Sequence, residues 1–441
     1  MEKSILRSFM KYVSLNILGM VGVSCYILAD TFFIANALGA TGIAALNLSI
    51  SVYSLIHGIG LMLGIGGASR YSILVSQRKE KKANHVFSTA LIAGGLIGLI
   101  LALIGLFSTT GIARALGADH TTLPLTRGYL STILYFSPFF ILNNILLAFV
   151  RNDHNPRLSM IAMLVGSFSN IILDYVFMFP FKLGMFGAAF ATGLAPIISI
   201  GILLIHFTGR NHRLVFLKSK VVWSLLSDLF RLGSSALINE VSSAVVLITF
   251  NLVILELEGN LGLAAYGIGA NLALVVMAVF TGLAQGIQPL ISKYHGLKND
   301  KLLRKVYRYA FVSSVLIALI LFLSLLFNGE RVIRVFNSEN HTVIDRLARD
   351  GLKIYFLGFF FAGVNIVTAM FLSATEATRD AFLISISRGF VIIIPMVFIL
   401  SSFWGMNGVW LSFVFTELIV TVLAVGLSFT RRYRSILKQA A

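Results

Sequence analysis

The stretch Leu15–Leu38, LNILGMVGVSCYILADTFFIANAL, carries one charged side chain, Asp30, and closes on Gly39-Ala-Thr-Gly42-Ile-Ala-Ala. As a helix rising 1.5 Å per residue it reaches about 36 Å, enough to cross a hydrocarbon core of about 30 Å. Similar apolar runs recur along all 441 residues, which are 57% hydrophobic and only 12% charged, with a mean hydropathy of +0.90. Soluble domains carry about twice that charge. Each run has to be helical, because in lipid the backbone can bond only to itself. Polar breaks place spans near 15–38, 44–69, 86–108, 128–150, 159–180, 187–207, 229–256, 263–291, 307–328, 350–372, 383–401 and 409–430.

The closing motif of that first stretch returns. Gly39-Ala-Thr-Gly42-Ile-Ala-Ala reads against Gly259-Asn-Leu-Gly262-Leu-Ala-Ala at an offset of 220, and Glu80-Lys81 falls on Asp300-Lys301 at the same offset. Gly184-Met-Phe-Gly187 reads against Gly405-Met-Asn-Gly408 at 221. Three segments agreeing within one residue point to two parallel copies of one unit, a repeat pattern used by secondary transporters. The expected fold is an all-α integral membrane protein with twelve transmembrane helices in two parallel six-helix lobes. Residues 1–208 form the N-terminal lobe, 209–228 a connector and 229–441 the C-terminal lobe. Within the connector, Val215–Leu229 mixes Lys with Val, Trp and Leu, as an interfacial helix on the inner leaflet would. It reads as a tether between moving lobes or as a plain linker.

The net charge of +17 could suggest a nucleic-acid binder, but the basic residues are scattered between apolar runs. They report topology instead. With the N-terminus in the cytosol, only Arg114, Arg127, Lys182, Arg331, Arg334, Arg346, Arg349 and Lys353 of the 35 Lys and Arg fall outside. Both termini are therefore expected to be cytoplasmic, in the cell (inner) membrane. The single cysteine, Cys25, excludes an internal disulfide or a cysteine-rich metal centre. The first apolar run is too long for a signal-peptide core and is expected to be retained.

No GxxxxGK[ST] loop occurs, which argues against direct use of ATP. Gly58, Gly60, Gly64, Gly66 and Gly67 sit inside an apolar helix with no preceding strand, so they read as close helix packing. No HExxH motif and no gathering of Ser, His and Asp suggests catalysis, so no enzyme and no cofactor are expected.

Acids within spans are costly, about 2.5 to 3.5 kcal/mol on insertion scales, and are functional candidates by default. Four qualify: Asp30 in span 1, Asp174 in span 5, Glu240 at the start of span 7 and Glu417 in span 12. Asn170 and Asp174, four apart, share one helix face. Thr192 lies at comparable depth on the next helix, and Asp30 sits in the outer half of span 1. Two carboxylates, an amide oxygen and a hydroxyl make a hard-oxygen pocket for Na⁺. The same group can take up a proton, because two close carboxyls cannot both ionise cheaply. Satisfied interhelical hydrogen bonds are the competing explanation. Glu240 with the adjacent Asn239, together with Asn36, are candidate contacts for a cationic substrate, against a structural role near the headgroups. Glu417 reads as a structural ion pair with Arg388 of span 11. Arg70 and His57 of span 2 are expected to bond locally.

The run Asp30-Thr-Phe-Phe-Ile followed by Leu38-Gly39-Ala-Thr-Gly42-Ile-Ala-Ala-Leu-Asn-Leu-Ser resembles the span 1 to span 2 signature of the multidrug and toxic compound extrusion (MATE) family. Asn170-Ile-Ile-Leu-Asp174, followed by Gly184-Met-Phe-Gly187-Ala-Ala and Thr192, is similar as well. The resemblance covers essentially the whole chain. It implies a V-shaped pair of lobes in the multidrug/oligosaccharidyl-lipid/polysaccharide superfamily. These would exchange outward-open and inward-open forms while an entering H⁺ or Na⁺ drives drugs or toxic organic cations out. The expected partners are such small molecules and the lipid bilayer, with no nucleic acid, and the protein is expected to function as a monomer. It also implies that Asp30, Asn170, Asp174 and Thr192 are the first-lobe cation site of the DinF-like branch. A flippase for a lipid-linked saccharide or related amphiphile is the alternative within that superfamily. Ser14 and Ser51 stand where many members carry proline, so a gating bend in span 1 would have to arise at Gly19 or Gly22.

Overall fold

The computed structural model describes residues 2–209, 212–218, 223–336 and 342–440. The first half comprises α1 (Glu2–Ser76), α2 (Glu80–Ala115), α3 (Leu123–Tyr135), α4 (Ser137–Asn152), α5 (Pro156–Met178) and α6 (Gly184–Leu204). The second comprises α7 (Trp223–Gly296), α8 (Asp300–Phe336), α9 (Thr342–Ala374), α10 (Thr378–Ile386) and α11 (Ile393–Ala440), with a π-helical turn over Ser387–Val391. Eight of the described helices are long and apolar enough to cross a membrane, or nine when α3 and α4, bent by 50°, are taken as one span.

Three helices exceed any bilayer. The 75 residues of α1 would run about 110 Å if straight. Each of the three turns at one glycine: Gly39 (φ 63°, ψ −152°), Gly259 (φ 60°, ψ −149°) and Gly405 (φ 55°, ψ −134°). That backbone is open to glycine and strained for a residue with a Cβ. Counting two limbs for each of α1, α7 and α11 gives the twelve spans that the sequence predicts.

The repeat extends to detail. Arg78 and Lys298 share a positive φ at an offset of 220, and His154 and Glu376 do so at 222. In α2, Leu96, Leu99, Ile100, Leu103, Leu106 and Phe107 are exposed. In α8, Leu316, Leu319, Ile320, Leu323, Leu326 and Phe327 are exposed at the same spacing, 220 residues on. Such a helical apolar stripe facing outward suits lipid as solvent.

Each half has its own core, one around Phe87, Ile141, Phe149 and Ala188, the other around Phe280, Phe359, Tyr355 and Trp410. A third cluster joins Ile5, Phe9, Tyr12 and Val13 of α1 to Leu283, Ile287 and Ile291 of α7. The halves meet most extensively through α1 and α7. Glycines make this approach close: a Cβ on Gly282 would lie 2.6 Å from the Ile17 Cα, and one on Gly286 2.7 Å from the Val13 Cα. A Cβ on Gly66 would meet the Leu229 carbonyl, and one on Gly233 that of Met62. The glycines of span 2 thus serve packing, not phosphate binding. Gly19 and Gly22 also lie in unbroken helix, against Met163 and Leu164 of α5, so neither interrupts the helical backbone of span 1 here.

The connector differs from expectation. Residues 212–218 carry no helix, and helix is present from Trp223, so no interfacial helix runs across Val215–Leu229; residues 219–222 lie outside the described residues. Nor is this segment a free tether. The Val215 N–H donates to Asn84 Oδ1 (3.1 Å) and the Leu217 N–H to Ser88 Oγ (2.8 Å), while Leu214 is fully buried in the first core. Asp153, in the turn after α4, accepts from the Arg213 N–H (2.9 Å) and the Tyr71 hydroxyl (2.9 Å) and contacts His206 Nε2 (2.9 Å). The apolar and basic alternation that suggests a surface helix is met instead by backbone bonds to polar side chains of the first lobe.

Burial pushes the Asp153 carboxyl up, but its bonds from His206, Arg213 and Tyr71 outweigh that and hold it below the ordinary range. A carboxyl so held contributes fully above its unfolded value of about 3.9 and loses its contribution as pH falls through the lower folded value. Asp153→Asn is therefore expected to cost about 1–3 kcal/mol near neutral pH. Thermal unfolding of the purified protein should show a lower midpoint at pH 7 and a gap to wild type that closes below about pH 4.

Candidate functional site

The first lobe gathers the four residues that the sequence singles out. Asp174 and Asn170 are fully buried on one face of α5, with Thr192 of α6 and Asp30 of α1 almost as inaccessible. The Asn170 amide lies between the other two side chains: its Nδ2 donates to Asp174 Oδ2 (3.1 Å) and its oxygen accepts from the Thr192 N–H (3.2 Å). Asp30 and Asp174 are near enough to feel each other's charge. Each has one buried oxygen, Oδ1, without a hydrogen-bond partner. Buried polar atoms are almost always paired, so two orphan carboxylate oxygens on acids near enough to sense each other's charge mark a place that a proton or cation could complete. Hard oxygens of this kind suit Na⁺. Among the described residues, no group of three or more His, Cys, Asp or Glu could hold a metal.

Sequence reasoning misses the tyrosines around this pocket. Tyr129 of α3 is buried, bonds to Thr192 and lies within electrostatic reach of both aspartates. Tyr26 of α1 shares a 2.9 Å hydrogen bond with Tyr53, and both sense Asp30. Nothing in the sequence distinguishes these from the other Tyr of apolar spans.

The second lobe treats its buried acid differently. Glu417 Oε1 accepts from Arg388 Nη2 (2.6 Å) and Nε (3.1 Å), and Glu417 Oε2 accepts from Asn365 Nδ2 (2.7 Å). Thr421 closes the group by donating to Asn365 Oδ1 (3.0 Å). This is the ion pair expected from the sequence, and the π-helical turn carries its arginine. Because α4 ends at Asn152 and α9 at Ala374, 222 residues on, Asn365 corresponds to Asn143 and Arg388 to Gly166. At the offset of 221 between Gly184 and Gly405, Glu417 corresponds to Pro196. Those three first-lobe positions line a cavity of about 90 Å³. Where the second lobe holds a guanidinium and its carboxylate, the first lobe holds space.

A profile of the MatE family matches residues 16–176 and again residues 236–399. The chain belongs to the MatE family. Its two matched segments begin 220 residues apart, at 16 and 236, which is the offset of the repeated glycine motif. A multidrug export protein MepA of Staphylococcus aureus is 29% identical over 438 residues, covering 98% of this chain and 96% of that one. The MepA of Staphylococcus saprophyticus is 27% identical over 435 residues, covering 98% and 95%. Among solved structures, an outward-facing multidrug resistance MATE transporter superposes with a TM-score of 0.90 at 22% identity, covering 98% of this chain and 96% of that one. A Vibrio cholerae MATE transporter gives 0.89 at 21% identity, covering 98% of each. These structures bear on the fold.

The MATE fold here is closed at the end that carries Arg78, Lys79, Lys81 and Lys82. Arg70, expected to bond locally, reaches the other lobe: its Nη1 lies 2.6 Å from Glu376 Oε1 and its Nε 3.7 Å from Asp228, while His295 Nε2 stands 3.6 Å from Glu376. Deeper, Gln288 Nε2 donates to Ser69 Oγ (2.9 Å), and Asn152 Nδ2 donates to Gln288 Oε1 (2.8 Å). Arg151 Nη1 donates to Asn16 Oδ1 (2.6 Å) and to Gln285 Oε1 of the second lobe (3.0 Å). His57 is likewise no local cap. Its Nδ1 lies 3.3 Å from Glu240 Oε2 across the interface, and its ring stacks on Tyr53. Glu240 and Asn239 are half-buried. Asn36 is exposed and donates to its own helix at the Phe32 carbonyl (2.8 Å), so the structure does not bring it to them. Every inter-lobe hydrogen bond and ion pair named here lies between the level of Glu240 and the basic end.

Arg70 and His295 together hold the Glu376 carboxyl below its ordinary range, the His295 hydrogen bond contributing most. Glu376→Gln removes the charge on which both converge. In a Cys25→Ser background, spin labels at Gln77 and Leu297 sit on the two lobes at this end. Their distance distribution is expected to gain a longer component in Glu376→Gln and in Arg70→Gln, and to stay unimodal and short in wild type at neutral pH.

Proposed function

We propose that the protein is a secondary active exporter that moves amphipathic, chiefly cationic organic compounds out of the cell in exchange for H⁺ or Na⁺. One observation carries the reading: Asp30 and Asp174, near enough to sense each other's charge, each keep a buried oxygen without a partner, with Asn170 and Thr192 beside Asp174. The named relatives, multidrug export proteins matched over nearly their full length, support the substrate class. The excess of Lys and Arg at the closed end supports a cytoplasmic location for that end.

Export then follows from two differential affinities. A cation entering from outside binds the carboxyls and favours one arrangement of the lobes; the substrate favours the other, and a ligand indifferent to the two could drive nothing. Burial gives the cation its leverage, since an ionised carboxyl pair in a low dielectric is costly until a positive charge joins it. Glu240 and Asn239, half-buried at the interface, suit a role in meeting a cationic substrate. The oxygen set serves either ion.

Asp30→Asn and Asp174→Asn are each expected to reduce ethidium efflux from proteoliposomes at least tenfold, with the protein still monodisperse. Parallel runs under an imposed pH gradient and an imposed Na⁺ gradient identify the driving ion. Undiminished efflux by both variants would remove the aspartates from the mechanism.

A further inference from the structure

The first-lobe cavity holds a charge that the proposed exchange does not use. Arg151, at the end of α4, is 2% exposed. Its two hydrogen bonds both leave from Nη1 and both end on neutral amide oxygens, those of Asn16 and Gln285. Its Nε is buried with no partner, and among the described residues no carboxylate lies within ion-pair distance of it. Removing a guanidinium from water without a counter-charge is among the most costly choices a fold can make. Arg388, the other arginine buried in a span, shows the usual remedy in its contact with Glu417.

Arg151 lines the cavity of about 90 Å³, which also reaches Thr192 and is bounded by Gln285 of the second lobe. The cavity contains two more unsatisfied atoms, Asn143 Oδ1 and Ser199 Oγ. The rest of its wall is largely apolar or aromatic, including Met20, Phe140 and Met163, and it includes no acid. One buried cation without a counter-charge and one unpaired hydroxyl, in a chamber whose other polar lining is neutral apart from His57, make a built site for a small anionic group. The volume suits a head group and no more than that, as a chamber of about 150 Å³ is needed for a benzene ring.

We propose that Arg151 receives the anionic head group of an amphiphile, a carboxylate or sulfonate whose apolar body extends out of the cavity. The guanidinium fork matches two oxygens of such a group, and the Ser199 hydroxyl is free to donate to it, while Asn143 can do so only by turning its amide to present Nδ2 in place of Oδ1. The protein would thereby accept acidic amphiphiles, and zwitterions, in addition to the cations of the proposed export. The inference does not depend on the coupling ion, and its test reads binding without transport.

Full-length protein in phosphatidylcholine nanodiscs is dialysed to equilibrium against pyrenebutyrate and, separately, against its neutral primary amide, at about pH 7 where the free acid is ionised. Wild type should bind the acid at least tenfold more tightly than the amide. In Arg151→Met that preference should fall to within twofold, and Arg151→Lys should keep part of it. Ser199→Asp leaves the arginine in place and sets a competing carboxylate in the same cavity. It should weaken the acid several-fold with little effect on the amide, so the proposal stays testable if Arg151→Met does not fold. Replacing part of the phosphatidylcholine by phosphatidylglycerol separates the sources. Displacement of the acid would identify a lipid headgroup as the resident anion, and undisturbed binding a soluble amphiphile. Equal binding of acid and amide by wild type, or a preference that survives Arg151→Met, would overturn the proposal.

Discussion

In hydrocarbon there is no water to satisfy a peptide group, so the chain must be helical wherever it lies in the bilayer and can change direction only near a surface. This constraint shapes the whole molecule. At Gly39, Gly259 and Gly405 one residue with positive φ and an extended ψ breaks the helical path between two limbs. Because the first two are the same position in two copies of the unit, the halves inherit the same span order and the same lipid-facing stripes on α2 and α8. They also inherit the same close meeting of their first two spans, α1 against α7. What distinguishes the lobes is carried by side chains on a shared backbone plan.

Charge is where they diverge. The second lobe neutralises Glu417 with Arg388 and ties both to Asn365. A guanidinium fixed to α10 and its π turn cannot leave, so that carboxylate is occupied in every state in which the helices stay packed. The first lobe has glycine and proline at the positions matching Arg388 and Glu417, and its acids lie elsewhere, at Asp30 and Asp174, each with one buried oxygen that no donor meets. In the exchange proposed above, a site that fills and empties needs partners that come and go. Duplication followed by this division would let one half supply a rigid wall and the other an exchangeable charge.

The aspartate pocket was legible because a carboxylate in an apolar span is rare enough to be noticed, and the i, i+4 spacing of Asn170 and Asp174 fixed their common face. The two-lobe plan was legible from the glycine motifs, since only glycine fits the turns they make. Tyr129 was not, because a tyrosine in a lipid-adjacent helix is an ordinary packing residue until its neighbours are known. His57 and Arg70 were misread for a related reason. Their partners, Glu240, Asp228 and Glu376, are far away in sequence, and only the docking of one lobe on the other brings them together. The connector failed on periodicity: its alternation of basic and apolar residues fits a surface helix, but the polar side chains of Asn84, Ser88 and Asp153 offered its backbone a better set of partners.

The contacts that hold the lobes together are of a kind that can be broken. Lipid is as apolar as leucine, so burying side chains between helices gains little from the hydrophobic effect. Glycines at Gly66, Gly233, Gly282 and Gly286 supply dispersion contacts, and the amide pairs around Gln288 supply neutral hydrogen bonds worth about 0.6 kcal/mol each in such settings. Arg70 and Glu376 are partly exposed, where an ion pair adds about 1 kcal/mol at most. Closure of the basic end is thus a sum of small terms. A change of a few kcal/mol elsewhere, such as a cation taken up by a carboxyl pair otherwise buried at a loss, is enough to tip it. The interface made of glycine and amide rather than of interlocked leucine is therefore not a weak point of the fold: under the proposed exchange it is what would let the uptake of a single ion shift the lobes.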